Sequence, residues 1–542
     1  MQLLSLLALS GLASSVAGRS SRHPGKKDFE LPRPRFGYPE RSQGVKRQEQ
    51  FIVPQNDVTT KFSVNGTAGA IPYVDFDIGE SYAGLLPISS APNSSELYFW
   101  FFPSTNPDAG DEITIWLNGG PGCSSLEGFL QENGPISWQY GTYKPVYNPW
   151  TWVNLTNMVW VEQPVGTGFS QGVPTATSTE EAAQQFLGFF KNFVETFELQ
   201  GRKVYIAGES YAGQYVPYFA EAMLESNDTE HFDVQGIMIY DPSVASDTLL
   251  DDIPAVPFVD HWAGLFNLNE TFTADIHERA DSCGYTDYFN TYLTFPPVSK
   301  LPEPNKTSAD EGCSLWSDII DAVMFTNPCF DVYAIATTCP LLWDVLGFPG
   351  SFDYLPDGAF IYFNLTDVQK AINAPVQEWA ECSNGVLDTD TSPPSSFEAL
   401  PYIIPRLQRT IVVHGELDFI LLANGTLLAI QNMTWSGEQG FQTAPRDDFF
   451  VPYHEEISDG TLSASGIMGV THTERKLTWV EQRLSGHMVP QYQPSSAYRQ
   501  LEFLLGRVDS LSSTAPFTTR PGDNSTNSTA ERRDLAYERM RF

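Results

Sequence analysis

Basic residues are scarce in this chain: 31 Lys and Arg stand against 66 Asp and Glu, for a net charge of −35. That deficit excludes the positive footprint that nucleic acid or an anionic membrane surface requires. Histidine is rarer still, at eight residues, and neither a His-Glu-X-X-His string nor a Cys-X-X-Cys pair occurs. The familiar zinc and redox spacings are missing, so no metal and no cofactor is expected. Cysteines number only six, an even count that fits three disulfides made in an oxidising compartment. Their pairing is not fixed by spacing. No apolar segment closes the chain, which argues against a C-terminal membrane span or lipid-anchor signal. Internal repeats and coiled-coil periods are absent as well.

The two ends describe a secreted protein. Residues 1–17 carry a short leucine-rich core, Leu3 to Leu9, and a small-residue site at Ser15-Val16-Ala17. This is a signal segment too short to cross a bilayer. Residues 18–47 read as a propeptide: nine Lys and Arg against three Asp and Glu, ending at the dibasic Lys46-Arg47. Without that +6 segment, residues 48–542 carry −41. Eleven Asn-X-Ser/Thr sites, at Asn65, Asn93, Asn154, Asn227, Asn269, Asn305, Asn364, Asn424, Asn432, Asn524 and Asn527, read as a glycoprotein. Residues 509–542 form a Ser/Thr-rich tail, disordered and glycosylated.

The chemistry begins at Gly208-Glu209-Ser210-Tyr211-Ala212-Gly213. A short apolar run, Val204 to Ala207, precedes it, and a helix-compatible run, Gln214 to Leu224, follows. A sharp strand-to-helix turn exposes a serine hydroxyl above a sheet, which makes Ser210 the candidate nucleophile. Such a serine needs a base, and the base needs an orienting carboxylate, in the chain order Ser, acid, His. Downstream, the strand Thr410 to Gly415 runs into Glu416-Leu417-Asp418-Phe419. A further strand, Leu477 to Arg483, runs into Gly486-His487-Met488. His487 is then the base and Asp418 or Glu416 its acid, while His414 reads as a structural strand-end residue. The strand Ile113 to Leu117 breaks at Asn118-Gly119-Gly120-Pro121-Gly122, whose glycines let backbone N–H groups approach a substrate closely. The N–H groups of Gly120 and Tyr211 are the expected oxyanion donors.

Four motifs in order resemble the serine carboxypeptidase family: Trp116 to Ser125, Glu162 to Ser170, Gly208 to Gly213 and Gly486 to Pro490. The resemblance runs from about Phe51 to Gly506. It implies an α/β-hydrolase fold, a mostly parallel central sheet flanked by helices, with Ser210, Asp418 and His487 as the triad and Glu416 in support. It implies that Trp116, Asn118, Gly119, Glu132 and Glu209 surround the substrate's free carboxylate, with Met488 by the leaving residue. Two carboxylates facing a third resolve their repulsion by sharing a proton, so peptide binding should favour acid pH. The resemblance also suggests a Cys123–Cys382 disulfide, leaving Cys283, Cys313, Cys329 and Cys339 to pair among themselves. One departure is Tyr240-Asp241, where members often have a glycine-asparagine turn.

Residues 243–362 interrupt the strand–helix alternation and hold four of the six cysteines. They read as a disulfide-stapled, largely helical cap, with helix-like pieces at Leu315 to Phe325 and Phe330 to Thr337. The cap is inserted between core segments 48–242 and 363–508. The function implied is a secreted, or vacuolar, serine carboxypeptidase that takes peptide and protein C-termini as substrate. Two other readings are an acyltransferase or esterase of the same fold, and a non-catalytic binding relative.

Overall fold

The computed structural model describes residues 51–347 and 357–519, all within one unit spanning residues 38–542. The signal segment, the propeptide and the sequons at Asn524 and Asn527 lie outside the described residues. Among these residues the sheet-forming segments are short and apolar, and most are buried on both faces, as interior strands require. In chain order they are β1 (Ser63–Val64), β2 (Ser81–Pro87), β3 (Glu96–Phe102), β4 (Glu112–Leu117), β5 (Ile136–Ser137), β6 (Val146–Tyr147), β7 (Met158–Glu162), β8 (Lys203–Glu209), β9 (Asp233–Tyr240), β10 (Arg409–Gly415), β11 (Thr434–Trp435), β12 (Glu438–Gln439), β13 (Asp447–Val451), β14 (Gly466–Glu474) and β15 (Leu477–Gln482).

Eleven of them form one sheet in the order β1-β2-β3-β7-β4-β8-β9-β10-β15-β14-β13, and the others make two small ribbons. The six central strands, β7 to β15, are parallel. Both flanks are antiparallel. The chain leaves β4 for β7 on one side and then crosses to β8 on the other. Such a reversal opens a crevice at the carboxyl ends of the strands. Register keeps those ends level: Leu117 pairs with Gly208, Glu209 with Tyr240, and Gly415 with Gln482.

Each face of the sheet carries its own apolar layer. On one face lies α1 (Thr179–Phe197), capped by Ser178, whose hydroxyl accepts from Glu181 N–H. Its fully buried Phe186, Phe189, Phe190, Phe193 and Phe197 recur every three or four residues, the spacing that puts them on one stripe. The other face mixes aliphatic residues with several tryptophans, including Trp100, Trp116, Trp138 and Trp160. α2 (Ala212–Ser226) continues from β8 and packs beside α1.

Between β9 and β10 the chain forms helices over Ile253–His261, Glu270–Cys283, Tyr285–Tyr292 and Leu315–Met324. Disulfides join Cys283 to Cys313 and Cys329 to Cys339. The helix expected over 330–337 does not form; this stretch is a series of turns. Its backbone is engaged elsewhere: Val332 C=O accepts from Phe419 N–H, Tyr333 C=O from His487 N–H, and Ile335 N–H donates to Leu417 C=O. A helix would have consumed these groups internally.

The start of the Ser/Thr-rich tail also departs from expectation. Residues 510–519 lie against the helix Pro494–Leu504: Glu502 accepts from Thr518, Arg499 donates to Ser513 and Ala515 carbonyls, and the Phe517 ring meets Trp150 and Tyr498. Composition misses this because the anchors are one aromatic and a few hydrogen bonds to the buried Arg499 and Glu502. Asn154 is fully buried with its Nδ2 donating to Pro149 C=O, which leaves no room for a glycan. Asn65, Asn93, Asn227, Asn269 and Asn305 are exposed.

The Cys123–Cys382 disulfide joins residues 259 apart. Closing so long a loop stabilises by about 5 kcal/mol if unfolded-chain entropy governs. Replacing both cysteines by serine should therefore lower the urea midpoint substantially, and an unchanged midpoint would refute that account.

Candidate active site

Ser210 sits between β8 and α2 with φ = 60°, a left-handed conformation that strains a non-glycine residue. Its backbone is held on both sides: Ser210 N–H donates to Tyr240 C=O at 2.9 Å, and Ser210 C=O accepts from Gly213 and Ser243 N–H. The side chain stands half-buried at the rim of the sheet. Beside it, the β4 loop comes very close. A Cβ on Gly119 would fall 2.5 Å from Tyr211 N and 2.8 Å from Ser210 Cβ, so only glycine fits. Gly120 follows with φ = 107°. The Gly120 and Tyr211 backbones are thus drawn together around Ser210.

Two further strand ends complete the cluster. His487 Nδ1 lies 2.8 Å from Asp418 Oδ2, both side chains buried, and Asp418 Oδ1 accepts from Ile420 N–H. His487 Nε2 is buried without a hydrogen-bond partner. Glu416 stands apart from the histidine; it accepts from Leu484 N–H at 2.7 Å and so ties the two loops together. His414 lies beneath, fully buried, its ring near Trp479 and its pKa pushed down to about 3 by burial. Met488 is buried, and its carbonyl begins the next turn by accepting from Gln491 and Tyr492 N–H.

On the other side of Ser210, Asn118 is fixed by its own oxygen. Asn118 Oδ1 accepts from Trp116 Nε1 at 2.7 Å and from Gly128 N–H at 3.2 Å. Its Nδ2 is left to donate to Glu209 Oε1 at 2.9 Å and to Glu127 Oε2 at 3.0 Å. Carboxylate oxygens of Glu127, Glu132 and Glu209 all lie within 4.8 Å of one another. Burial pushes all three acids up, helped by Asp344 at Glu127 and by the neighbouring glutamates at Glu132 and Glu209: Glu127 to about 8 and the other two well above the ordinary range. Acids this close, Glu132 and Glu209 buried and Glu127 half-buried, favour protonated forms, and a protonated carboxyl donates hydrogen bonds. The sequence reading missed Glu127, which sits in an unmarked helical turn. The only signal for it was its position between two glycine-fixed segments.

The motif Glu162 to Ser170 serves the scaffold. Glu162, pushed up to about 7 by burial, accepts from Ser124 Oγ and Phe169 N–H, and so braces the loop after Gly120. Tyr333 packs edge-on to the His487 ring at 5.2 Å between centroids.

A strained serine between strand and helix, with a buried His–Asp pair at neighbouring strand ends of a parallel-centred sheet, defines an α/β-hydrolase. The profile of the serine carboxypeptidase family matches residues 72–506, and the chain belongs to that family. It is a serine-type carboxypeptidase, a peptide hydrolase. It is 57% identical over 527 residues to a probable serine carboxypeptidase of Arthroderma benhamiae, covering 94% of this chain and 98% of the relative. It is 47% identical over 461 residues to the serine-type carboxypeptidase F of Aspergillus niger, covering 82% and 87%. The crystal structure of a Saccharomyces cerevisiae prohormone-processing carboxypeptidase shares the fold at a TM-score of 0.64, with 22% identity and coverage of 84% and 98%. Among the described residues no helix is long and apolar enough to cross a membrane.

Proposed function

We propose that this carboxypeptidase removes single amino acids from peptide and protein C-termini at acid pH, outside the cell or in an acidic vacuole. Ser210 Oγ attacks the last peptide carbonyl while His487 Nε2 takes its proton, and Asp418 holds the imidazole by Nδ1–H. The Gly120 and Tyr211 N–H groups receive the developing oxyanion. Collapse breaks the C–N bond, His487 returns the proton to the departing amine, and water then hydrolyses the ester on Ser210. Asn118, the Gly119 N–H and the protonated members of Glu132 and Glu209 grip the free carboxylate, with Trp116 orienting Asn118. Met488 borders the pocket of the leaving residue.

The observation that carries this reading is the cluster of Glu127, Glu132 and Glu209 carboxyls at Asn118, two of them accepting from its Nδ2, next in the fold to Ser210. An esterase or acyltransferase has no need of donors placed for a free carboxylate. The test compares amino acid released from an N-blocked dipeptide and from its C-terminal amide at pH 5 and pH 9, with Ser210→Ala alongside. Release from the free acid at pH 5, absent in the variant, is the expected result. Ester cleavage without amino acid release would replace the reading with acyl transfer.

A further inference from the structure

Asp241 follows the last residue of β9 at the position where the sequence departs from a glycine-asparagine turn. It is fully buried, with a φ of 42° that suits Asn or Asp. Its N–H donates to Val413 C=O at 2.7 Å, and its Oδ1 accepts from Gly415 N–H at 2.8 Å. One of its oxygens, one oxygen of Asp418 and one ring nitrogen of His487 lie within 4.8 Å of one another. Two buried carboxyls therefore face each other beneath the triad.

We propose that Asp241 is a positioning residue: a carboxylic acid that keeps its proton, donates it to Asp418, and so holds the group that orients His487. This rests on reading Ser210, His487 and Asp418 as the triad.

The proton belongs on Asp241 because of the donors each acid already has. Asp418 accepts from His487 and Ile420 N–H, which favour its ionised form, while Asp241 accepts from one backbone N–H. Burial first, and the facing Asp418 second, push Asp241 well above the carboxylate range. The other groups around it supply no positive charge. His414 Nδ1 lies 3.3 Å from Asp241 Oδ1, but burial keeps that ring neutral. Glu132, in the helical turn Gly128–Glu132, and Glu209, at the end of β8, are acids that bring no positive charge, and Tyr240 is neutral. The sign follows directly. Below its raised pKa, Asp241 is a neutral donor; above it, a second carboxylate repels Asp418 and the imidazole loses its support.

Asparagine reproduces both contacts with no proton to lose: Oδ1 for Gly415 N–H and Nδ2–H for Asp418. The test measures kcat and KM on a blocked dipeptide from pH 5 to pH 9, for the full chain, Asp241→Asn and Asp241→Ala. Asp241→Asn should keep the wild-type kcat at pH 5 and hold it at higher pH where the wild type falls. Asp241→Ala should lose about 10²-fold in kcat with KM unchanged, the cost of a misplaced catalytic group. Three results overturn the proposal: kcat unchanged in Asp241→Ala, Asp241→Asn as damaged as Asp241→Ala, or coincident pH curves for Asp241→Asn and wild type. Should Asp241→Ala not fold, by its thermal transition, the Asn and wild-type curves decide alone. If the wild type releases no amino acid, the carboxypeptidase reading has failed. The same comparison is then made on labelling of Ser210 by an organophosphonate, which needs the triad and no peptide.

Discussion

Asp418→Asn should lower kcat by about 10⁴-fold while leaving KM for a blocked dipeptide nearly unchanged. The reason lies in the tautomer. Asp418 Oδ2 accepts from His487 Nδ1 at 2.8 Å, which leaves Nε2 as the ring nitrogen able to take a proton. An asparagine can turn its NH₂ toward Nδ1, and the histidine must then carry its proton on Nε2, where it cannot serve as base. Because Asp418 Oδ1 also holds Ile420 N–H, and asparagine keeps that acceptor, the loop should stay folded. Steady-state kinetics together with an unchanged thermal transition would establish this. A loss below tenfold would show that Asp418 is not the orienting acid. Glu416, which ties Leu484 and not the histidine, should tolerate Gln with little change in kcat.

Peptide affinity should fail as pH rises, and it should fail through KM. Burial and neighbouring acids raise Glu127, Glu132 and Glu209 above the usual carboxylate range, Glu127 to about 8. The form that donates to a substrate carboxylate is the protonated one. Binding is therefore intact below the raised values and lost as pH climbs through them, with KM rising roughly tenfold per unit beyond that point. Glu209→Gln supplies a permanent donor, so its KM should be higher at pH 5 than that of the full set but much flatter toward pH 9. A KM independent of pH in the wild type would sink the shared-proton account. Stability shifts in the same direction. These acids, with Glu162 and Asp344 each pushed up to about 7, keep protons that the unfolded chain releases above about pH 4.3. Folding thus takes up protons, and the thermal transition should be higher at pH 5 than at pH 8.

What could be read from the sequence was local or paired with a fixed chain order. The serine turn announces itself within six residues, because the strand before it and the helix after it leave the hydroxyl only one place to go. His487 and the loop holding Glu416 and Asp418 follow from strand ends, since parallel strands bring their carboxyl ends to one edge; the choice of Asp418 over Glu416 came from the family resemblance. Glu127 was not legible, because its place depends on how Asn118 is turned by Trp116 and Gly128, a contact that no pattern encodes. Asp241 was visible only as a departure, and its meaning required the facing Asp418. The stretch 330–337 looked helical because its apolar spacing is. What decides it is three backbone hydrogen bonds to segments distant in sequence, two to the loop at Leu417 and Phe419 and one to His487.

Those three hydrogen bonds change what the inserted region is. A lid that merely covers a crevice can be exchanged between relatives to alter preference, leaving the chemistry beneath untouched. Here the backbone at Val332, Tyr333 and Ile335 grips the loop that carries Asp418 and the residue His487 itself, and a side chain at Gly486 would collide with Tyr333 C=O at 2.1 Å. The insertion is a splint for the loops that carry the His–Asp pair. Chimeras that graft a foreign cap onto this core inherit a slack His–Asp pair unless they keep residues 331–335, so specificity and turnover in this chain cannot be bred independently.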